Sequence, residues 1–232
     1  MKHAIRSLAL GLMAVPLSLT LLTEPVSAGC GDSPAAGVDW TKCEKRRLIL
    51  RERDLSKGMF LRTDFSRSDL ADAKLMGADL TEANFEHARL AGADLTGAML
   101  VKSSGDRANF SQAILRQANM SKAEMARTDF TGADFAGATM EKAELGRAIL
   151  VDANMEGANL KRAEIARAVL KGAKLAGSDF TGAYTYLTHF EGTDLSSVTG
   201  LTQQQLDVAC GDDETTLPSG LTVPASWPCG QE

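Results

Sequence analysis

The sequence is poor in aromatic residues and in proline, and both shortages constrain the fold. Only 5% of its 232 residues are Phe, Trp or Tyr, whereas 44% are apolar. A core with so few rings must be narrow and filled mainly by Leu, Met and Ala. No proline occurs between Pro34 and Pro218, so every backbone N–H in that stretch can donate a hydrogen bond. The chain therefore contains a long segment whose backbone can pair throughout.

Cysteine is absent from the middle of the chain. The four cysteines stand near the two ends, at Cys30, Cys43, Cys210 and Cys229, and four cysteines allow three pairings. If the ends lie far apart in space, only Cys30–Cys43 and Cys210–Cys229 can satisfy disulfide geometry. A metal site built from all four thiolates is the alternative, but it lacks close CxxC spacing.

Long apolar runs are also missing, except at the N-terminus. Three basic residues, Lys2, His3 and Arg6, precede an apolar stretch over residues 8–22, and the small residues VSA follow at 26–28. This arrangement predicts a secretory signal peptide over residues 1–28, and hence a periplasmic or secreted bacterial protein. Two alternatives are an uncleaved anchor, for which the run is short, and lipid attachment at Cys30. No other segment is apolar enough to span a membrane.

A period of five residues runs through the body of the chain. Of thirty positions taken every fifth residue from Leu50 to Leu195, twenty-eight are Leu, Phe, Met or Ile. The position two before is Ala nineteen times in twenty-one between Ala73 and Ala173. A helix would spread these residues around its axis, and a straight strand would alternate them between its faces. The chain must therefore turn after every five residues, so that both residues point inward.

Three charged hexapeptides set the number of sides. KAEMAR, KAELGR and RAEIAR begin at Lys122, Lys142 and Arg162, twenty residues apart. Because five-residue sides recur in register every twenty residues, each coil should have four sides.

The segment ADLTEANFEHARLAGADL, at 78–95, resembles the pentapeptide-repeat family, whose motif is A(D/N)LXX. The resemblance implies an all-β fold, a right-handed quadrilateral β-helix of about seven coils over residues 50–197. It implies no enzymatic activity and no cofactor. Members of this family often dimerise through one end of the rod, so we expect a monomer or an end-to-end dimer.

Both ends of such a rod need caps, because an open coil exposes apolar surface and unpaired backbone. We assign residues 29–49, with the Cys30–Cys43 loop, to the N-terminal cap and residues 198–232 to the C-terminal cap. Thr202 and Gln205 predict a capping box for a short helix that ends near Ala209. The Cys210–Cys229 tail should fold back over this helix.

Residues twenty apart should stack in columns on the surface, and two neighbouring columns are basic. A glutamate ladder, Glu124, Glu144 and Glu164, should run between these columns. We call the eight basic residues the basic stripe: Lys102, Lys122, Lys142, Arg162, Arg107, Arg127, Arg147 and Arg167. One interpretation is a solvated surface that the glutamates neutralise. The other is a track for an extended anionic partner, such as an acidic glycan or lipopolysaccharide phosphates.

These features predict a non-enzymatic exported scaffold or binding protein of the bacterial envelope, whose partner is an anionic polymer or a protein. The net charge of −5 argues against a nucleic-acid partner. Some cytoplasmic pentapeptide-repeat proteins act as DNA mimics on gyrase, but that role requires an acidic surface and no signal peptide.

Two further features interrupt the five-residue pattern. Gly105 replaces a core residue beside Ser104 and His87, where we considered a hydrolytic site and, as the simpler interpretation, a local bulge or void. Tyr184 and Tyr186 interrupt the motif in the last coil, and we expect them to contact the cap.

Overall fold

The chain folds into a rod of stacked four-sided coils in the computed structural model, which describes residues 29–229. The predicted signal peptide lies outside these residues. From residue 36 to residue 199 one five-residue unit repeats: a two-residue turn and then an extended segment whose middle residue forms a parallel β-bridge. Each bridge within this segment joins residues twenty apart, as in Glu124–Glu144 and Glu144–Glu164. Each coil therefore has four sides. Each side of a coil forms a single β-bridge to the next coil rather than a longer β-strand.

Every corner of the coil is a tight turn. At one corner the Ala73 N–H donates to the Leu70 carbonyl over 3.1 Å, and Asp72 between them has a φ of 58°. A positive φ at the third residue defines a type II turn, which favours glycine there. Gly77, at the next corner, has a φ of 61°. The repeat therefore imposes left-handed backbone once in every five residues.

The core runs along the axis of the rod. Both predicted inward positions are buried, because Leu145 and the Ala143 before it are each 0% exposed. Neighbouring coils bond through the backbone, as where the Leu145 N–H donates to the Glu164 carbonyl over 2.7 Å. Only a small side chain fits at the Ala position, since two inward residues on each of four sides converge on one narrow axis.

The predicted bulge or void at Gly105 is wrong. Ser104 keeps its bridges to Asn84 and Glu124, so the register of the coils is unbroken. The side chain of Met125 fills the space, because a Cβ on Gly105 would lie 2.5 Å from the Met125 sulfur. The flexible thioether of Met suits such a gap.

The Asp or Asn of the motif caps the turn that follows it. The Asp129 carboxylate accepts a hydrogen bond from the Thr131 N–H at 2.9 Å, and the Asn119 side chain accepts one from the Ser121 N–H at 3.0 Å. These N–H groups donate to no backbone carbonyl, so the short side chain satisfies an otherwise unpaired donor. This bond gives a physical reason for Asp and Asn in the motif.

These caps should make the fold sensitive to acid. The Thr181 hydroxyl and N–H lower the pKa of Asp179, and the Thr216 hydroxyl and the Ser196 groups lower the pKa of Asp194, both from 3.8. Because the folded-state pKa is the lower one, the bonds stabilise the fold above pH 3.8, and this stability is lost as pH falls through the folded-state pKa.

We therefore expect the melting temperature to fall between about pH 5 and about pH 3. Asp179→Asn together with Asp194→Asn keeps the acceptor oxygens but removes both titrations. The double variant should lose less stability in acid than the wild type in calorimetric melts. An identical pH dependence would remove these carboxylates as the cause.

At the N-terminus, coil geometry begins earlier than the expected boundary at residue 50. The first bridge joins Asp39 to Met59, inside the segment assigned to the cap. The Cys30–Cys43 disulfide is present. Trp40 is 1% exposed and its ring lies 5.7 Å from that of Phe60, so the indole closes this end of the core.

At the C-terminus, helix α1 covers Gln203–Asp207 and begins with the predicted capping box between Thr202 and Gln205. It is shorter than expected, since it ends at Asp207 rather than near Ala209. The Gln205 side chain donates to the Phe180 and Ala183 carbonyls over 3.0 and 2.8 Å. The helix thus satisfies carbonyl groups of the last coil that have no further coil to pair with.

The tail beyond the helix is fixed at two points. The Cys210–Cys229 disulfide is present, and the Trp227 indole donates to the Ala209 carbonyl over 2.7 Å. The Trp227 ring packs on Gly211, where a Cβ would lie 2.3 Å from the ring. Between residues 29 and 229, no helix is long and apolar enough to cross a membrane.

Candidate anion-binding stripe

All eight residues of the basic stripe occupy the left-handed position of a type II turn. Their φ values lie between 55° and 60°. On the other two corners this position is mostly glycine: Gly77, Gly92, Gly97, Gly132, Gly137, Gly157, Gly172, Gly177 and Gly192. A residue with a Cβ pays roughly 1–2 kcal/mol for left-handed backbone. Lys and Arg therefore stand on two corners at a cost that glycine avoids on the other two.

The glutamate ladder fills the side between the two basic columns. Glu124, Glu144 and Glu164 stack in successive bridges, and all three side chains are exposed. They replace the capping Asp or Asn of the motif. None of them accepts a hydrogen bond from the backbone two residues on, so within residues 29–229 the N–H groups of Ala126, Gly146 and Ala166 have no acceptor. A row of unpaired backbone donors thus lies beside the arginine column.

Ion pairs are concentrated toward the N-terminal end of the stripe. Arg62 and Lys102 approach the Glu82 carboxylate, at 2.5 and 3.9 Å. The bond from Arg62 lowers the pKa of Glu82, so Glu82 stays ionised at neutral pH. Arg127 and Arg107 likewise share Asp106, at 2.8 and 3.9 Å. Each of these carboxylates is shared by two cations, so it offsets about half of their charge.

The C-terminal half of the stripe is different. Lys142 lies 3.5 Å from Glu141. Over residues 29–229, by contrast, no carboxylate lies within 4.0 Å of the cationic groups of Lys122, Arg147, Arg162 or Arg167. The expected neutralisation by the glutamate ladder does not occur through direct ion pairs; Glu82, Asp106 and Glu141 make the contacts instead. The cations without an ion pair therefore lie between residues 122 and 167 of the stripe, where Arg127 and Lys142 are paired.

Stacking such cations costs little in water. Residues in successive coils lie about 4.8 Å apart, where two like charges repel by a little under ~1 kcal/mol at the dielectric constant of water. An extended anionic chain laid along the column would remove this repulsion and also reach the exposed N–H groups. The arrangement can therefore bind anions.

The other two sequence candidates are not assembled into sites. The Ser104 hydroxyl contacts the Asn84 side chain at 3.4 Å, and in the described part of the chain no hydrogen bond joins it to His87. At the last coil Thr185 contacts the cap, through a 2.6 Å bond to the Gln205 carbonyl. The Tyr184 and Tyr186 rings remain 56% and 43% exposed.

The described residues also offer no metal centre. Residues 29–229 contain no cluster of three or more His, Cys, Asp or Glu side chains arranged to hold a metal ion. The four cysteines form the two disulfides at opposite ends, so they cannot jointly provide thiolate ligands.

Sequence reasoning missed a groove beside the C-terminal cap. Its volume is about 1010 Å³, and it lies between the Arg147 and Arg167 corner and the disulfide-linked tail. The signal was present in the sequence, because Ile149 and Val169 stand where the motif has Asp or Asn.

Comparison with known proteins identifies the family. The profile of pentapeptide repeats matches eight copies in segments that extend from residue 50 to residue 199. The chain therefore belongs to the pentapeptide-repeat family. Membership of this family implies a right-handed quadrilateral β-helix.

The solved structure of QnrB1 shares this fold. QnrB1, a plasmid-mediated fluoroquinolone resistance protein, is 19% identical with a TM-score of 0.65, and the match covers 78% of this chain and 91% of QnrB1. HetL, a protein involved in heterocyst differentiation regulation in the cyanobacterium Nostoc, is 24% identical with a TM-score of 0.49, over 82% of this chain and 90% of HetL. A search of curated proteins finds no match.

Proposed function

We propose that the protein is a non-enzymatic binding protein of the bacterial envelope, exported by its N-terminal segment, whose basic stripe holds an extended anionic polymer. One observation carries the proposal: eight Lys and Arg residues occupy left-handed turn positions on two adjacent corners, where backbone energetics favour glycine. Backbone strain opposes this arrangement and like-charge repulsion adds a little to it, and an anionic partner would offset the repulsion along the whole stripe.

The spacing of the stripe also suits a polymer. Its rungs recur once per coil, about 4.8 Å apart, and each rung offers a cation from both columns. A chain of carboxylates or phosphates can bridge successive rungs through charge-assisted hydrogen bonds. A compact anion would contact only one or two rungs and would gain little from the length of the rod.

Three arginines of the stripe can be replaced without straining the fold. The triple variant Arg127→Gly, Arg147→Gly and Arg167→Gly places glycine where the backbone favours it, as Gly132 and Gly172 do on another corner. We expect affinity for polygalacturonate, an acidic glycan used as the probe, to fall at least about tenfold. The wild-type affinity should also fall steeply with salt. Titration calorimetry at two salt concentrations measures both effects.

A matched control removes the same charge elsewhere. Lys57→Gly, Lys74→Asn and Lys174→Asn also lower the net charge by three, but they lie off the stripe and use residues that the repeat already carries at equivalent positions. This control should bind as the wild type does. If the stripe variant and the control lose equal affinity, attraction is due to net charge alone and the track does not exist.

The second candidate is a gyrase-interacting DNA mimic. The observation that favours it is the fold shared with the fluoroquinolone resistance protein QnrB1. Such a mimic needs acidic columns, whereas the two adjacent corners of this rod are basic. The location of the protein in cells separates the two candidates. N-terminal sequencing that finds a mature chain beginning at Gly29 would support export and exclude the gyrase role, while an unprocessed cytoplasmic chain would exclude the envelope role.

A further inference from the structure

The side of the rod next to the arginine column becomes apolar near the C-terminal cap. Ile149 and Val169 occupy successive outward positions, joined by a bridge, and Ile149 is 42% exposed. Leu187 continues the arginine column at a φ of 52°, so a branched apolar side chain is held in left-handed backbone. Val169 and Leu187 line the groove and form its apolar floor, and Ile149 extends this apolar surface by one coil toward the N-terminus.

Cations stand on both sides of this floor. Arg147 and Arg167 line the groove from one corner, and Lys171 lines it from the next corner. None of the three has an ion-pair partner within 4.0 Å among residues 29–229. The carboxylate that lines the groove, Glu191, is engaged by His189 at 2.8 Å. The groove therefore has a positive rim over an apolar base.

Backbone donors add to the rim. Ile149 and Val169 cannot cap the following turns as Asp or Asn would, and the N–H groups of Val151 and Lys171 have no acceptor in the described part of the chain. An exposed N–H next to a lysine side chain suits a carboxylate, which can accept from both.

The tail closes the groove on its far side. Cys210, Ser226 and Cys229 line that wall, and the wall is fixed by the disulfide and by the Trp227 bond to the Ala209 carbonyl. The volume of about 1010 Å³ is at the upper end of small-molecule sites, which span roughly 300–1,000 Å³.

We propose that this groove binds an amphipathic anion, an alkyl chain that carries a carboxylate. The chain lies on Ile149, Val169 and Leu187, and the carboxylate is held by Arg167, Lys171 and the Lys171 N–H. This site is separate from polymer binding along the stripe, although both use Arg167.

The test is calorimetric titration of the full mature chain with decanoate, below the concentration at which decanoate forms micelles. We expect saturable binding of one decanoate per chain. Acetate has the same charge without the alkyl chain, and decyltrimethylammonium has the alkyl chain with the opposite charge. Neither should bind, since the groove requires both features.

Val169→Asn is the diagnostic variant. It removes part of the floor but restores the residue type of the motif, which can cap the Lys171 N–H, so the coil should fold normally. Decanoate affinity should fall about tenfold, whereas polygalacturonate binding should not change. The matched control is Ile114→Asn, the same kind of change at an equivalent outward position on another side, and it should bind decanoate as the wild type does.

Three outcomes would overturn the proposal: no saturable decanoate binding by the wild type, equal decanoate affinity in Val169→Asn, or equal binding of decyltrimethylammonium. The stripe variants Lys122→Gly and Lys142→Gly separate the two sites. They should weaken polygalacturonate binding and leave decanoate binding intact, so failure of one proposal is distinguishable from failure of the other.

Discussion

A ten-residue insertion after Gly132 should leave the rod folded and yet divide its basic stripe. Two copies of Ala-Asp-Leu-Thr-Gly at this point continue the inward Ala and Leu pattern and the glycine turn. Each side has five residues, so ten residues rotate the rest of the rod by half a coil. The four stripe residues after the insertion then lie on the opposite face from the four before it: Lys142, Arg147, Arg162 and Arg167.

The affinity for polygalacturonate should consequently fall at least about tenfold, because no single polymer segment can reach both halves of the stripe. Circular dichroism and melting temperature should be close to those of the wild type, since every inserted residue meets the demands of its position. Calorimetric titration against the polymer gives the affinity.

The matched control is a twenty-residue insertion of four such units at the same point. It adds a complete coil, so both halves of the stripe return to one face with a gap of one rung. The longer insertion should therefore bind better than the shorter one. A steady loss of affinity with inserted length, or equal binding by both variants, would contradict a continuous track.

Removal of the Cys210–Cys229 disulfide should cause a large loss of stability. The bond closes a loop of nineteen residues, and loops of this size are stabilised by about 3 kcal/mol. The double variant Cys210→Ala and Cys229→Ala should lose about this much free energy of unfolding in denaturant titrations. The Trp227 ring would then be held on Gly211 only by packing and one hydrogen bond.

We also expect this variant to associate through its C-terminal end. The tail and helix α1 cover the last coil, where Phe190 and Leu195 are 0% exposed. If the tail detaches, apolar surface and backbone donors become available to a second rod. Light scattering after gel filtration should show a fraction of dimers that increases with protein concentration.

The corresponding N-terminal variant, Cys30→Ala and Cys43→Ala, provides the comparison, because Trp40 still fills that end of the core. A monomeric C-terminal variant of unchanged stability would show that the tail is not a necessary cap.

The repeat architecture could be predicted from the sequence because one physical demand recurs at every position. Leu145 and Ala143 must point inward in the same way as their equivalents in each coil. An ambiguous position in one repeat can therefore be assigned from the neighbouring repeats. The capping box of α1 was equally accessible, since it depends on Thr202 and Gln205 alone. The earlier start of the coils at Asp39 was missed because the apolar pattern is weak before Leu50.

The contacts on the surface were harder to predict than the core. They depend on side-chain conformations in different coils, which the five-residue period of the sequence does not determine. The columns themselves follow from the twenty-residue spacing. The spacing does not predict which carboxylate pairs with Arg127. Both Asp106 and Glu124 lie close to this arginine in the sequence pattern, and the structure pairs it with Asp106. The groove was missed for a similar reason: its far wall comes from Ser226 and Cys229, whose position depends on how the tail folds back.

The orientation of the coil-to-coil hydrogen bonds has a mechanical consequence. Bonds such as that from the Leu145 N–H to the Glu164 carbonyl run along the axis of the rod, so tension along this axis loads the interfaces between coils in series. Every interface then carries the full force, and the rod parts where an interface is weakest. End coils have a neighbour on one side only, and the chain has its two covalent crosslinks there. The disulfides therefore act as clamps against peeling from either end, and rupture under load should begin in the interior.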